Sequence, residues 1–234
     1  MNPKQLIFPF AIDQSPAFDT FFWGDKNRFL LDELRGAINS STNQEVFIMG
    51  LEGSGKSFIL QAICNEYISM QQKVMYIPMY KAVEMDSSLL ENFEEFDAVC
   101  VDDVQALEKN PDWQTAVFHL INQANNSNCS LYFSSSRDLD TMGQTMLDDL
   151  ISRFTRMNHH NVHPIGEAEL STALFFCASS LEISLEDDVL EYLLKRETRQ
   201  LHHLLKLLKR VDHAAAQDKR KLTIPFVKQV LYQE

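Results

Sequence analysis

The sequence predicts an α/β protein in which helices cover both faces of a parallel sheet, followed by a small all-helical domain. Short apolar runs typical of buried strands alternate with helical patterns through most of the 234 residues. From about Glu167 onward only helical patterns remain. We therefore expect a flexible N-terminal tail over residues 1–16, a three-layer domain over residues 17–165 and a helical domain over residues 166–234.

Five runs are predicted to be strands because they are short, apolar or β-branched and bounded by turn residues. They are Val46–Met49, Lys73–Pro78, Ala98–Val101, Ser130–Ser134 and Asn161–Ile165. Helical spacing of apolar residues predicts a first helix towards the end of Phe18–Asn39. The other predicted helices are Ser57–Gln71, Asp112–Asn125, Glu167–Ser180, Glu186–Lys195, Arg199–Gln217 and Ile224–Tyr232.

Composition is that of an ordinary globular protein, with 45% hydrophobic and 23% charged residues. The four cysteines are far apart and form no CxxC pair, as expected for reduced thiols in the cytoplasm. The first ten residues lack the apolar stretch of a signal peptide, and no run has the length of a membrane span. We expect a cytoplasmic protein without a membrane partner.

Net charge is −12, which argues against a surface that binds a phosphate backbone everywhere. Residues 195–234 differ from the rest, with ten Lys or Arg against four Asp or Glu. This local excess of +6 indicates either a separate module or a solvated helical face. Weak contact of the basic region with DNA therefore stays open.

Residues Gly50 to Ser57 match the pattern G-x-x-x-x-G-K-[ST] between a predicted strand and a predicted helix. Glycines at this position allow backbone N–H groups to point inward around an anion, and the helix N-terminus favours phosphate. Lys56 is expected to reach the β- and γ-phosphates, and the Ser57 hydroxyl to bind Mg²⁺. The predicted nucleotide-binding residues of this loop are Gly50, Gly53, Ser54, Gly55, Lys56 and Ser57.

The predicted third strand runs into two carboxylates, Asp102 and Asp103. After a complete phosphate-binding loop, this arrangement indicates a Walker B motif rather than a solvated acidic turn. Asp102 is expected to orient Mg²⁺ through its water shell, and Asp103 to position the attacking water.

These motifs resemble those of the DnaA-related AAA+ family, and most closely its short Hda-type members. The run Asp102–Gln105 is similar to the family's Asp-Asp-Val/Ile-Gln, and Phe21–Asn27 is similar to its entry motif near the adenine pocket. Lys221–Lys228 resembles the closing helix of Hda-type proteins. The resemblance covers essentially the whole chain and implies an AAA+ domain followed by a lid domain.

The same resemblance implies roles for three further residues. Ser136 lies at the position of sensor 1, where the family usually has Asp or Asn. Arg153 matches the arginine finger, which acts in trans on a partner's nucleotide, and Arg199 matches sensor 2, which contacts the nucleotide. Judged without the family, Arg153 is more typical of a solvated helix charge.

The N-terminal segment Gln5 to Phe10 resembles the peptide by which partners of the sliding clamp bind it. Gln5 is expected to give polar specificity, whereas Leu6, Phe8 and Phe10 would fill hydrophobic pockets. The alternative is that these apolar side chains fold back onto the domain.

The resemblance implies a regulator of replication initiation that binds the DNA polymerase III beta sliding clamp and stimulates hydrolysis of ATP bound to DnaA. It implies ADP or ATP with Mg²⁺ as cofactors, weak intrinsic ATPase activity at most, contact with DNA only through the loaded clamp, and possible self-association. Two alternatives remain, a small-molecule kinase with a P-loop, and a DNA-binding initiator or helicase loader.

Overall fold

The computed structural model describes residues 10–40, 42–90, 95–124 and 126–232. The chain divides into two compact units. The first contains Phe29–Val162 together with the N-terminal residues up to Phe18, and the second contains Asp19–Arg28 and His163–Glu234.

The first unit is built on a five-stranded parallel sheet with the strand order β2-β3-β4-β1-β5. The strands are β1 (Glu45–Gly50), β2 (Val74–Pro78), β3 (Ala98–Asp102), β4 (Ser130–Ser135) and β5 (Asn158–Val162). Strands β3 and β4 are buried along their whole length, and the centres of both are apolar, Val99–Val101 in β3 and Leu131–Phe133 in β4. The α/β fold class predicted from the sequence is confirmed.

Strand β5 begins three residues earlier than predicted. It lies at an edge of the sheet and pairs with β1 alone, from Val46 opposite Asn158 to Gly50 opposite Val162. An edge strand keeps one side open to solvent, so a polar run such as that of β5 is tolerated there. The apolar pattern that identified the other strands was therefore absent, and the predicted range 161–165 was wrong.

Helices flank the sheet on both faces. They are α1 (Gly24–Ile38), which begins in the second unit and ends in the first, α2 (Lys56–Ser69), α3 (Met79–Ala82), α4 (Pro111–Ala124), α5 (Leu139–Met142) and α6 (Asp148–Arg156). A 3₁₀ helix, Val104–Lys109, follows β3 directly. The sequence analysis gave no ranges for α3, α5, α6 and this 3₁₀ helix. Helices α3 and α5 span four residues each, which is too short to show a helical period.

One face of the sheet is filled by aromatic side chains from β1, β4 and α6. The ring of Phe154 lies 5.1 Å from that of Phe47 and 5.2 Å from that of Phe133, and all three are completely or almost completely buried. Helix α2 covers the opposite face, where the hydroxyl groups of Tyr67 and Tyr132 are hydrogen-bonded at 3.0 Å. This two-sided burial holds the loops at the carboxyl ends of the strands on a rigid base.

The second unit has its own hydrophobic core, formed by four helices. They are α7 (Leu170–Ser180), α8 (Asp187–Arg196), α9 (Leu201–Asp218) and α10 (Ile224–Tyr232). The start of α1 belongs to this unit, because the Asn27 side chain exchanges two hydrogen bonds with the backbone of His163, at 2.9 and 2.8 Å. The predicted small helical lid domain is confirmed.

Residues at the end of the predicted tail contact α2. The Asn65 amide donates hydrogen bonds to the backbone carbonyls of Asp13, at 2.9 Å, and Pro16, at 2.7 Å. The partly buried Phe10 side chain packs against the core of the first unit. Gln5, Leu6 and Phe8 lie outside the described residues.

In the part of the chain that the structure describes, no helix combines the length and apolarity needed to cross a membrane.

Gly50 and Gly36 provide a matched test of the fold. A Cβ added at Gly50 would meet both the Ser54 hydroxyl oxygen and the Val162 carbonyl oxygen at 2.7 Å, whereas no atom of the described residues lies within 4 Å of a Cβ at Gly36 in α1. We expect Gly50→Ala to lower the free energy of unfolding by about 1–3 kcal/mol. Gly36→Ala should raise it by about 0.5–1 kcal/mol. Urea denaturation measures both, and equal stability of the two variants would contradict the packing described at the end of β1.

Candidate nucleotide-binding site

The predicted functional residues of the first unit converge because its strands are parallel. The loop Gly50–Ser57 follows β1, Asp102 and Asp103 lie at the end of β3, and Ser136 follows β4. Strand β4 pairs with both β1 and β3, so the residues that follow these three strands lie side by side at the carboxyl ends of the sheet. In open parallel sheets, ligands bind at the carboxyl ends of the strands.

The loop after β1 has the backbone conformation of an anion-binding turn. Gly53 has a φ of 75° and Gly55 a φ of 99°, values that side-chain-bearing residues rarely adopt. Gly55 is also the N-cap of α2, and its carbonyl accepts the first hydrogen bond of that helix from Ile59 at 3.0 Å. The loop therefore passes directly into a helix N-terminus, which favours phosphate.

The Lys56 ammonium lies inside this loop. It donates hydrogen bonds to the carbonyl oxygens of Gly50, at 2.9 Å, and Leu51, at 3.0 Å, and the residue is only 5% exposed. Burial lowers the pKa of Lys56, while the carboxylates of Asp103 and Asp102 act in the opposite direction. A buried ammonium supported by nearby carboxylates is suited to a phosphate ligand.

The residues present also fit a phosphate group for a second reason. Among the described residues, the buried hydroxyl oxygen of Ser54 has no hydrogen-bond partner. Buried polar atoms normally have a partner, so an orphaned hydroxyl in a phosphate-binding loop indicates a position that a ligand satisfies. Ser57 lies in the first turn of α2, where a hydroxyl can face a metal ion beside the phosphates.

The Asp102 carboxylate is held by hydroxyl groups from the strands on both sides of β3. Its Oδ2 accepts a hydrogen bond from the Tyr76 hydroxyl at 2.7 Å, and its Oδ1 accepts one from Ser134. Burial and the Asp102 charge raise the pKa of Tyr76, which keeps this hydroxyl protonated as a donor. Each carboxylate oxygen keeps a further lone pair, so Asp102 can still bind a water of a magnesium ion.

Asp103 is held in an unfavourable conformation. Its φ of 58° and ψ of 53° lie in the left-handed region, and its N–H donates to the Ser134 hydroxyl oxygen at 2.9 Å. Burial and the neighbouring Asp102 charge raise the pKa of Asp103. A hydrogen bond from Gln105 acts in the opposite direction but is the smaller effect. Strain and an unfavourably placed charge on one residue are typical of functional sites.

Three contacting residues were not recognised from the sequence. Tyr76 and Ser134 look like ordinary strand residues, so the sequence carried no signal for them. Gln105 carried a weak signal, because it closes the run Asp102–Gln105 that marked the family resemblance. In the structure its side chain contacts both Asp103 and Ser136.

Arg153 lies on α6, away from the loop residues in sequence and on a partly exposed part of the helix. Its guanidinium lies over the ring of Phe118 on α4, 5.7 Å from the ring centroid. The positive charge of Arg153 lowers the pKa of Glu45, although burial of that carboxyl raises it more. The stacked ring limits the positions that the guanidinium can adopt.

Arg199 belongs to the second unit. The sequence predicted that a helix starts at Arg199, whereas α9 begins two residues later, at Leu201. The guanidinium forms an ion pair with Glu167 at 2.9 Å, and both side chains are well exposed. An exposed pair of this kind contributes little to stability, so Arg199 is free to exchange partners.

Two family models match this chain. The bacterial DnaA ATPase domain matches residues 12–158, and the Hda lid domain matches residues 167–231. An uncharacterized protein of Haemophilus influenzae is 32% identical over 228 residues, which cover 97% of this chain and 98% of that protein.

Solved structures share the fold. Domain III of the replication initiation protein DnaA from Thermotoga maritima has a TM-score of 0.83 and 21% identity, over 95% of this chain and 98% of that one. AMPPCP-bound DnaA from Aquifex aeolicus has a TM-score of 0.72 and 21% identity, over 90% of this chain and 70% of that one.

The DnaA ATPase model covers more than half of the chain, and the lid model covers the second core. This chain therefore belongs to the DnaA-related AAA+ family, as a replication regulator with an Hda-type lid.

Proposed function

We propose that this protein is a nucleotide-bound regulator of replication initiation that binds the DNA polymerase III beta sliding clamp and stimulates hydrolysis of ATP bound to DnaA. The pairing of a DnaA-type ATPase domain with an Hda-type lid supports DnaA as the partner. The observation that carries the catalytic part of the proposal is Arg153, a partly exposed guanidinium braced against an aromatic ring.

Arg153 would act in the nucleotide site of DnaA rather than in its own. Among the described residues its charge acts on the half-buried Glu45 carboxyl, but no carboxylate lies close enough to form an ion pair with it. The transition state of phosphoryl transfer spreads negative charge over several oxygens, and a guanidinium stabilises that charge. Stacking on Phe118 lowers the entropy that Arg153 loses when it docks.

The protein's own nucleotide is proposed to be ADP, bound with Mg²⁺ and mainly structural. Gly53, Gly55 and Lys56 would bind the phosphates, while Ser57 and Asp102 would hold the metal ion, which supplies charge neutralisation at the phosphate oxygens. Support comes from the orphaned Ser54 hydroxyl and from the shared fold with AMPPCP-bound DnaA of Aquifex aeolicus. Asp103 and Ser136 are proposed to give slow intrinsic turnover at most, and Arg199 stays a prediction as a further nucleotide contact.

Replacing Lys56 tests nucleotide binding. We expect Lys56→Ala to weaken ADP binding by about 10- to 100-fold, because it removes a charged donor to phosphate. The variant should also be less thermally stable than the wild type, because the buried Asp102 carboxylate loses one of the charges that compensate it. Isothermal titration and thermal unfolding measure the two effects.

Lys73→Ala is the matched control, because Lys73 forms an exposed ion pair with Glu95. It should leave ADP affinity unchanged. A folded Lys56→Ala protein with wild-type affinity for ADP would contradict the proposed site.

Replacing Arg153 tests the action on DnaA. We expect Arg153→Ala to reduce the stimulation of DnaA ATP hydrolysis by about 10³-fold or more, because the transition state loses its guanidinium. Arg153→Lys should fail nearly as badly, since an ammonium cannot make the same planar contacts. The assay measures phosphate release from ATP-loaded DnaA with sliding clamp loaded on DNA.

Arg156→Ala serves as the control, because Arg156 lies exposed in the last turn of the same helix α6. It should keep most of the stimulation. If Arg153→Ala and Arg156→Ala stimulated DnaA equally, Arg153 would not be the finger.

The N-terminal segment is proposed to bind the clamp through Gln5, Leu6, Phe8 and Phe10. We expect the triple substitution of Gln5, Leu6 and Phe8 by Ala to abolish capture by immobilised clamp, because the polar and apolar anchors are lost. Its thermal stability and ADP affinity should equal those of the wild type. Unchanged capture would rule out this segment as the docking peptide.

Phe10 is expected to behave differently from the other three anchors. Its side chain packs against the core, as the fold-back alternative expects for it, and would have to leave that contact to fill a clamp pocket. Phe10→Ala should therefore lower the thermal stability as well as clamp capture. The two effects can be separated by measuring capture at a temperature well below both unfolding transitions.

A further inference from the structure

Gln105 is a buried side chain in the candidate site to which no role has yet been given. It is 8% exposed and lies in the 3₁₀ helix Val104–Lys109, immediately after the two carboxylates of β3. Asp103, in its left-handed conformation, directly precedes this helix, and the Gln105 side chain contacts both Asp103 and Ser136 at the carboxyl ends of β3 and β4. A long polar side chain buried at that position needs its hydrogen-bonding groups satisfied.

The contacts of Gln105 fix the orientation of its carboxamide. Its Oε1 accepts a hydrogen bond from the backbone N–H of Ser136 at 3.2 Å. A backbone N–H can only donate, so the oxygen of the amide must face Ser136. The NH₂ group is thereby directed to Asp103, with 2.9 Å between Nε2 and Oδ1.

The Gln105 NH₂ group has two further neighbours. The hydroxyl oxygens of Ser136 and Tyr80 both lie 3.3 Å from Nε2. Two hydrogens serve three acceptors, and the carboxylate is the nearest and the only charged one. The first hydrogen is therefore committed to Asp103, and the hydroxyl groups share the second.

This geometry connects the end of β3 to the end of β4 through one neutral side chain. The short Ser136 side chain contacts Asp103 only through Gln105 among the interactions of the described residues. A neutral amide can hold a carboxylate in place without adding a cation that competes with Lys56 for it. Gln105 also accepts the hydrogen bond of the Ser136 N–H, so it links the segment that follows β3 to the segment that follows β4.

We propose that Gln105 is the positioning residue of the nucleotide site, which holds the Asp103 carboxylate and couples it to the end of β4. The inference rests on the proposed nucleotide binding and deepens it. A carboxylate that positions the attacking water acts at the terminal phosphate of a triphosphate. When Gln105 is lost, the Asp103 charge is free to turn towards that phosphate and to repel it.

The test compares two buried glutamines that are matched in environment. Gln114 is 3% exposed and uses its amide in the same way, donating to the Leu107 carbonyl at 2.8 Å and accepting from the Leu147 N–H at 2.8 Å. Gln105→Glu and Gln114→Glu both replace a buried NH₂ donor by an oxygen. Gln105→Ala is the second variant, should the added charge prevent folding.

The readout is the ratio of the dissociation constants for AMPPCP and ADP, both measured with Mg²⁺ by isothermal titration, together with the thermal unfolding temperature. We expect both Gln105 variants to raise this ratio about tenfold, the equivalent of one charged hydrogen bond. Gln114→Glu should lower the unfolding temperature and leave the ratio unchanged.

A wild-type ratio in both Gln105 variants would overturn the inference and show that Gln105 only supports the fold. In that case the proposed nucleotide binding would still stand, because the wild type binds both ligands. A wild-type protein that bound neither ligand would instead refute the proposed nucleotide site and the positioning role with it.

Discussion

The burial of one carboxylate, that of Asp102, is the constraint on which the rest of the site depends. A 3% exposed charge needs several compensating groups, and each of them comes from a different element. Tyr76 approaches from β2, Ser134 from β4 and the Lys56 ammonium from α2. The order of the strands therefore follows from the chemistry as much as from packing, because β3 must lie between β2 and β4 for both hydroxyl groups to reach.

Not every buried charge and polar group at the carboxyl ends of the strands is fully compensated. The unfavourable features that remain are concentrated in the candidate functional residues. Asp103 has a left-handed backbone and a pKa raised by burial and by its neighbour. Lys56 has a pKa lowered by burial, and the Ser54 hydroxyl is unsatisfied. A phosphate with a metal ion would balance the charges of this site, since it brings negative charge to the ammonium and the loop and positive charge to the carboxylates, and a phosphate oxygen could accept a hydrogen bond from Ser54. The apparent defects of the isolated chain are then those of a site organised for a ligand.

Most of the fold could be predicted from the sequence because burial on two faces leaves an unmistakable pattern. The centres of strands β3 and β4 are apolar, and the glycines of the loop after β1 can be recognised from their spacing alone. Prediction failed where the pattern depends on tertiary position. Strand β5 is polar because it is an edge strand, and α5 is a four-residue helix that is too short to show a period.

The same distinction applies to the site. Residues expected to contact phosphate belong to a sequence motif. The residues that position them depend on which side chains are neighbours in the folded structure. Tyr76 and Ser134 act through hydrogen bonds to another side chain, and nothing in a strand sequence reports which side chain lies next to it in space. Arg153 was identified by resemblance to a family, and its bracing by Phe118 emerged only when α4 and α6 were packed together.

The anchoring of residues Asp13 and Pro16 by Asn65 determines how far the start of the chain can extend. Eight residues separate Gln5 from Asp13 in the sequence, and a fully extended chain of that length spans about 30 Å at most. In the proposed clamp complex, a tether of this length would hold the clamp at an effective concentration on the order of millimolar around Asp13. In that complex, the hydrogen bonds from Asn65 to Asp13 and Pro16 would set the distance from the first unit within which the clamp can lie.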